Sequence, residues 1–355
     1  EVRRVAVNYF YSPWRRGDLV SFRSRFREYV EHLVALEYLR DEGSGFVVLD
    51  GSLYGRMAHL PRDSGIPGYQ GFMVDYIGVY ADLLEESWRL GVPVLGLAKD
   101  SRSRIFRSFL LFEELKRRLA RLGVEGEVRD KVVEAWFTLR KHPRMAFRII
   151  NDLEREYGLP SEVLEVFREA VRGRPDVHVV REMARDAGFT KPLLLGVPSP
   201  ALDTLASALL EGGLEGYVEK SFARALVEDE EFMNRALKTL PRVLDYPAVF
   251  SFYLVPSAGD LPLRVDVPAW FLGVGARLRD VVRPVASFDE EALGEVLSML
   301  LSLYGGPKSY NVLMGEVDSR VKFSRDSLLV YEKLIEKELG LFIEHTRDER
   351  RVRFP

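Results

Sequence analysis

The chain has 355 residues, 47% of them apolar, so it can bury a sizeable core in one large or two smaller structural units. Its 51 Lys and Arg residues nearly balance its 54 Asp and Glu residues, and the net charge of -3 excludes a polycation that coats nucleic acid. Any contact with DNA must come from local basic patches. The lack of cysteine excludes disulfides, thiolate metal sites and cysteine nucleophiles, so we expect any bound metal to be a hard divalent cation.

No segment reaches the ~18–20 apolar residues of a membrane span, and the first residues lack the apolar core of a signal peptide. We therefore expect a soluble, cytoplasmic protein without membrane contact. Its dense charge, with arginine the main cation, is typical of the ion-pair networks of thermophiles.

The first hundred residues alternate between two kinds of hydrophobic periodicity. Apolar runs at 5–11, 45–49 and 92–98 predict strands, whereas 21–40 and 76–90 have apolar residues at helical spacing. Strands that alternate with helices indicate an α/β layer.

From 105 to 245 the pattern changes to long, Arg- and Glu-rich helical stretches with one apolar run at 192–197, which predicts a mainly helical insertion. The next segments predict a β-hairpin with strands at 249–254 and 263–267, followed by helices at 289–303 and 327–339.

These changes of pattern divide the chain into four parts. Residues 1–104 form the first part of a core, 105–245 the helical insertion, 246–340 the second part of the core, and 341–355 a charged tail that frays.

Asp50 stands at the carboxyl end of a predicted strand, where open α/β sheets place their ligands. The sequence Asp50-Gly51-Ser52 is equally compatible with a plain turn. Asp50 is therefore a candidate site residue with an open alternative.

The helix at 21–40 offers a second acid. Its apolar stripe is centred on Phe26, Val30, Leu33 and Val34. Glu37 falls in the middle of this stripe, whereas Glu28 and Glu31 point away. A carboxylate that faces a core is costly unless it is paired or binds a metal, so Glu37 is a candidate; the alternative is a solvated or Arg-paired side chain.

Basic residues follow the strand predicted at 92–98. Lys99 is placed to hold a phosphate or an attacking water, while Arg102, Arg104 and Arg107 offer a cationic edge for a DNA backbone. The alternative for these arginines is a solvated helix face. The five histidines lack metal-binding spacing, and the P-loop, GxGxxG and GxSxG motifs are absent from the sequence, which argues against a zinc protease or an ATPase.

The order of these segments resembles the NurA family of archaeal DNA-repair nucleases. The matching stretches are VVLDGSL at 47–53, LGLAK at 95–99, SRS at 101–103, LRVDVP at 263–268, GGPKSY at 305–310, VD at 317–318 and KFSRD at 322–326. The helical middle gives almost no match.

The resemblance implies an RNase H-like mixed sheet flanked by helices, with the large helical insertion between its two parts. It also implies a Mn²⁺- or Mg²⁺-dependent nuclease that acts on DNA ends and on single-stranded DNA. The family forms homodimers with a central DNA channel and works with the hexameric HerA translocase in the resection of double-strand breaks.

The resemblance assigns roles to individual residues. Asp50 becomes a metal-binding acid, Lys99 the active-site lysine and Tyr310 the tyrosine eight residues before the last catalytic position. Asp318 falls at that position, where the family has His or Asp. An oxygen ligand at Asp318 suits a hard cation. The family also has a helix glutamate that binds metal, for which Glu37 is the choice on facing and Glu31 the alternative on spacing.

One family motif has no equivalent in the sequence. The family begins with another Asp-Gly-Ser at the end of a first strand, and the strand predicted at 5–11 offers only Asn8, a poor substitute for a bridging carboxylate. Either the chain starts after this motif or its metal site is incomplete. We therefore expect weak nuclease activity or dependence on a residue outside the chain, and the alternative function is a DNA-end-binding scaffold that cuts little or nothing.

Overall fold

The computed structural model describes residues 16–66, 68–198, 201–307 and 309–321, and parts of 329–337. The chain divides into two compact units, Glu1–Leu297 and Ser298–Pro355. The strand predicted at 5–11, with Asn8, and the charged tail at 341–355 lie outside the described residues, as does most of the helix predicted at 327–339.

A mixed six-stranded sheet forms the centre of the first unit. Its strands are β1 (Val47–Asp50), β2 (Val94–Ala98), β3 (Gly188–Phe189), β4 (Leu193–Leu195), β5 (Val249–Val255) and β6 (Leu263–Pro268). The order is β1-β2-β6-β5-β3, with β4 also paired to β5. Only β1 and β2 are parallel to each other. The predicted mixed α/β architecture and the β5–β6 hairpin are confirmed.

Helices of the first unit flank this sheet. The helices of this unit are α1 (Arg16–Asp41), α2 (Leu53–Met57), α3 (Phe72–Leu90), α4 (Ile105–Arg121), α5 (Gly126–Leu139), α6 (Pro143–Tyr157), α7 (Ser161–Val171), α8 (Asp176–Met183), α9 (Asp203–Leu210), α10 (Leu214–Ser221), α11 (Ala223–Glu228) and α12 (Phe232–Thr239), with 3₁₀ helices at Leu240–Asp245 and Leu278–Asp280. Helix α13 (Glu290–Ser302) crosses the boundary between the units, and α14 (Val312–Val321) belongs to the second unit. In the described part of the chain, no helix has both the length and the apolar character needed to cross a bilayer.

The segment 105–245 contains α4–α12 and also supplies β3 and β4 to the sheet. Within it, α4–α7 have a hydrophobic core of their own. The side chains of this core include Leu115, Val132, Trp136, Ile150 and Phe167. The main core lies between α1, α3 and the sheet, and β5 is buried along its whole length. A strand covered on both faces accounts for the continuous apolar run VFSFYLV.

Asp176 of α8 attaches the first turn of α4 to the sheet. Its fully buried carboxylate accepts hydrogen bonds from the backbone N–H groups of Phe106 and Arg107, at 3.1 and 2.8 Å. It also accepts the hydroxyl of Tyr253 on β5, at 3.0 Å. Helix N-termini leave N–H groups without partners, so this carboxylate satisfies two of them while it joins α4 to β5.

Candidate active site

Two of the predicted site residues lie at the same edge of the sheet. Asp50 ends β1 and pairs with Leu97 of the parallel strand β2, and Lys99 follows Leu97 by two residues. Because the carboxyl ends of parallel strands meet at one edge, Asp50 and Lys99 belong to neighbouring strand ends. Both side chains are exposed, so this edge is accessible to a substrate.

The loop after Asp50 packs directly on the backbone of β2. Gly51 has a φ of 115°, and its N–H donates to the carbonyl of Leu97 at 2.9 Å. A Cβ atom on Gly96 would lie 2.6 Å from the backbone nitrogen of Leu53 and 2.8 Å from the carbonyl oxygen of Gly51. Only glycine leaves room for this approach, so Gly96 holds the loop close to the sheet.

A buried carboxylate on β6 anchors the same loop. Asp266 is fully buried and pairs with Gly96 in the β2–β6 register. Its carboxylate accepts the Ser52 hydroxyl at 2.5 Å and the Tyr54 N–H at 3.1 Å. It also accepts Nε of Arg264 at 2.9 Å. The sequence analysis missed this role, although an acid inside the apolar run LRVDVP was a usable signal because unpaired buried charge is costly.

Arg56, on α2, connects β1 to α1. Its guanidinium donates to the carbonyl oxygen of Asp50 at 2.8 Å and to the carboxylate of Glu31 at 2.7 Å. It also lies 2.8 Å from Nε2 of His32, and the Arg56 residue is only 4% exposed. Because a guanidinium only donates, Nε2 must accept. Burial and the charge of Arg56 lower the pKa of His32 to about 2, so this histidine is neutral.

The predicted orientation of α1 is wrong. Glu37 is exposed, and three side chains of the expected core stripe, Val30, Leu33 and Val34, are 37%, 40% and 61% exposed. The buried side chains of α1 include Phe22, His32, Ala35, Leu36 and Leu39. The physical reason is tertiary packing: aromatic side chains of α1 meet Phe72 of α3, and Arg56 draws Glu31 and His32 inward. The α1 acid that Arg56 binds is Glu31.

Arg107 is not the exposed DNA contact that its sequence suggested. The residue is 5% exposed, and its guanidinium donates to the carbonyl oxygen of Glu169 and, at 2.7 Å, to the Glu169 carboxylate. Its charge is therefore neutralised between α4 and α7. Arg102 and Arg104 are exposed, and their contact with DNA stays a prediction.

Tyr310 and Asp318 lie in the second unit. Tyr310 is half-buried and precedes α14, whereas Asp318 is an exposed residue of α14 itself. Their association with Asp50 in one site stays a prediction, as does the role assigned to Lys99. Glu37 does not face the core, which was the reason for its choice over Glu31.

The oxygen ligands at the Asp50 edge are of the type that a hard cation prefers, but they are too few to hold one. Carboxylate oxygens are the ligands that Mg²⁺ and Mn²⁺ prefer. Asp50 supplies one such group, and Glu31 supplies a second, which is bound to Arg56; the same guanidinium holds the backbone carbonyl of Asp50. No group of three acidic or histidine side chains within the described ranges is arranged to hold a metal. These residues therefore do not form a complete cation cage by themselves.

A second polar cluster lies between α1 and α3. The Glu28 carboxylate accepts the hydroxyl of Tyr76 at 2.8 Å and lies 2.8 Å from Nε2 of His59. Burial raises the pKa of Glu28, but the hydrogen bond and charge of His59, the charge of Arg56 and the Tyr76 hydrogen bond outweigh burial and lower it from 4.5 to about 2.

The low pKa of Glu28 predicts acid-dependent stability. A carboxylate with a depressed pKa in the folded state stabilises the protein above its unfolded pKa, and this contribution is lost as the pH falls through the folded pKa. We expect Glu28 to contribute about 3 kcal/mol that disappears between pH 4.5 and about 2. Urea denaturation of wild type and Glu28→Gln at several pH values in this range measures the contribution. If the free energy of unfolding changed equally with pH in the two proteins, Glu28 would not be the group responsible.

The fold and this edge define an α/β protein with an accessible aspartate and lysine at adjacent strand ends. The family model described as the NurA domain matches residues 16–323. The chain therefore belongs to the NurA family. Among solved structures, the crystal structure of the NurA nuclease from Sulfolobus solfataricus is similar, with 13% sequence identity, 92% of this chain and 70% of that chain covered, and a TM-score of 0.46. No curated protein matches the chain significantly.

Proposed function

We propose that the chain is a divalent-metal-dependent DNA nuclease that degrades DNA ends and cuts single-stranded DNA. The observation that carries this proposal is the juxtaposition of Asp50 and Lys99 at one exposed sheet edge in a member of the NurA family. The RNase H-like fold, the homodimer with a DNA channel, and action with a hexameric HerA-type translocase in break resection belong to the same proposal. The cation is Mn²⁺ or Mg²⁺, with Asp50 and Asp318 among its ligands and Glu31 in place of Glu37.

The groups at this edge have distinct tasks in phosphodiester hydrolysis. The Asp50 side chain is exposed at this edge and so is accessible to a phosphodiester, while its own carbonyl is held by Arg56. Lys99 offsets the negative charge that grows on the phosphoryl oxygens in the transition state. Asp266, Ser52 and Gly96 keep the loop in place before substrate arrives, and such pre-organisation lowers the reorganisation needed for reaction.

A second candidate is a DNA-end-binding scaffold that keeps the family's contacts but cleaves weakly or not at all. The observation that favours it is the incomplete set of acids in the described residues. A scaffold binds DNA with strong salt dependence and leaves it intact.

Asp50→Asn tests the nuclease. This variant keeps the shape of an exposed side chain and removes its charge, so we expect normal stability and a loss of Mn²⁺-dependent cleavage of single-stranded DNA of roughly a hundredfold or more. Asp130→Asn, at an exposed position of α5, is the matched control. Product formation with Mn²⁺ and with chelator is followed on a labelled oligonucleotide. Unchanged cleavage by Asp50→Asn would remove Asp50 from the site, and wild-type binding without cleavage would select the scaffold.

A further inference from the structure

Helix α6 carries a row of arginines on its solvent face. Arg144, Arg148, Asn151 and Arg155 follow one another at intervals of four, three and four residues, and all are exposed. At 100° per residue they fall within about 60° of one another, and at 1.5 Å per residue the row is about 16 Å long. This length matches several consecutive phosphates of one DNA strand.

These arginines differ from most cations of the same helical bundle. Arg118 pairs with Glu114 and Glu165, and Arg172 pairs with Glu169. Lys116 and Lys131 also have acidic partners within their own helices. Within the described ranges, Arg144, Arg148 and Arg155 make no ion pair or hydrogen bond. Their charges are therefore available to an anionic ligand without the breaking of an internal contact.

The row borders an open surface depression of about 490 Å³. Pro143 and the half-buried Phe147 give it an apolar wall beside the three arginines, and Asp152 is the one acid that lines it. The local charge of this surface is thus positive although the whole chain is slightly acidic. Cationic side chains next to apolar or aromatic surface are typical of sites that follow a nucleic-acid backbone.

One more exposed arginine precedes this row. Arg140, the residue that caps the end of α5, stands four residues before Arg144.

We propose that the face of α6 formed by Arg144, Arg148 and Arg155 binds the sugar-phosphate backbone of DNA beyond the cleavage site. This inference rests on the proposed nuclease function and adds a surface of the helical bundle to it. Charge complementarity and the length of the row select a polyphosphate backbone as the ligand. The face positions DNA and takes no part in bond cleavage.

The test combines Arg144→Gln, Arg148→Gln and Arg155→Gln in the full chain. The control combines Arg117→Gln, Arg121→Gln and Arg129→Gln, which removes the same charge from exposed positions of α4 and α5. Binding of a fluorescein-labelled oligothymidylate is measured by anisotropy with chelator present, between about 50 and 200 mM salt. We expect the α6 variant to bind on the order of a hundredfold more weakly near 0.1 M salt, with a salt slope smaller by about 2.

Two results would overturn the inference: an affinity and salt slope equal to those of wild type, or an equal loss in the control. Hydrolysis of bis(p-nitrophenyl) phosphate separates this outcome from failure of the nuclease proposal. This small diester lacks the extended sugar-phosphate backbone that the α6 face is proposed to bind, so the α6 variant should hydrolyse it as wild type does. A loss of its hydrolysis would show that α6 acts on the cleavage site instead. If wild type itself fails to hydrolyse the diester and DNA, the nuclease proposal falls, while the binding result still decides the role of α6.

Discussion

Arg56→Ala is expected to lower the free energy of unfolding by about 3–5 kcal/mol. The substitution removes a nearly fully buried guanidinium and leaves the carboxylate of Glu31, the imidazole of His32 and the carbonyl of Asp50 without their donor. His32 is fully buried, and a buried acceptor that loses a charged partner carries its whole desolvation cost. Urea denaturation curves, with the slope checked for two-state behaviour, measure the change.

Arg27→Ala is the matched control for Arg56. Arg27 contacts the same Glu31 at 3.5 Å, but its side chain is 74% exposed, and exposed pairs contribute at most about 1 kcal/mol. Arg56→Lys separates charge from geometry, since a single ammonium cannot reach three acceptors as the planar guanidinium does. We expect Arg56→Lys to fold with intermediate stability and to cleave DNA poorly. Equal stability of Arg56→Ala and Arg27→Ala would show that Arg56 is not the anchor.

Asp266→Ala is expected to cost a similar 3–5 kcal/mol. Asp266 is fully buried and neutralises Arg264, which is itself 5% exposed and whose second terminal nitrogen already lacks a partner. The variant leaves the charge of Arg264 unpaired and releases Ser52 and the N–H of Tyr54. Thermal and urea denaturation report the loss of stability, and DNA cleavage reports the displacement of the loop that follows Asp50.

Arg264→Met, Asp266→Leu and the combination of the two form a double-mutant cycle. Replacing both members of a buried ion pair by apolar groups is often close to neutral, so we expect the double variant to be more stable than either single variant. A coupling energy near zero would mean that the two residues act independently. Cleavage should stay low even in the stable double variant, because Ser52 still lacks its acceptor.

Local sequence patterns predicted much of the sheet but less of the site. The apolar runs at 45–49, 92–98, 249–254 and 263–267 correspond to four of its strands. They could be predicted because a buried strand consists mainly of apolar residues. Asp50 was found as a strand-end acid for the same reason. The residues that hold it were not found: the pairing of Gly96 with Asp266 joins segments 170 positions apart, and register between distant strands is not encoded locally.

The incorrect orientation of α1 has a different cause. The spacing of apolar residues predicts that Val30 and Val34 face the core. The groups that α1 packs against are instead the aromatic rings of α3 and the hydrogen-bond donors of Arg56. Partners of this kind favour a mixed aromatic and polar face, with His32 fully buried, over an aliphatic one. Arg107 also shows that tertiary contacts decide the environment of a side chain. The sequence does not distinguish an arginine exposed to solvent from one that forms an ion pair with a distant residue such as Glu169.

The absence of a side chain at Gly96 also affects the entropy of substrate binding. Since the Asp50 loop rests on the strand backbone itself, its conformational freedom is removed when the chain folds and is not lost again when a ligand arrives. A flexible loop would impose that ordering cost on every encounter with DNA. The backbone of Asp50, which directly precedes this loop, is therefore fixed relative to β2 before any ligand arrives.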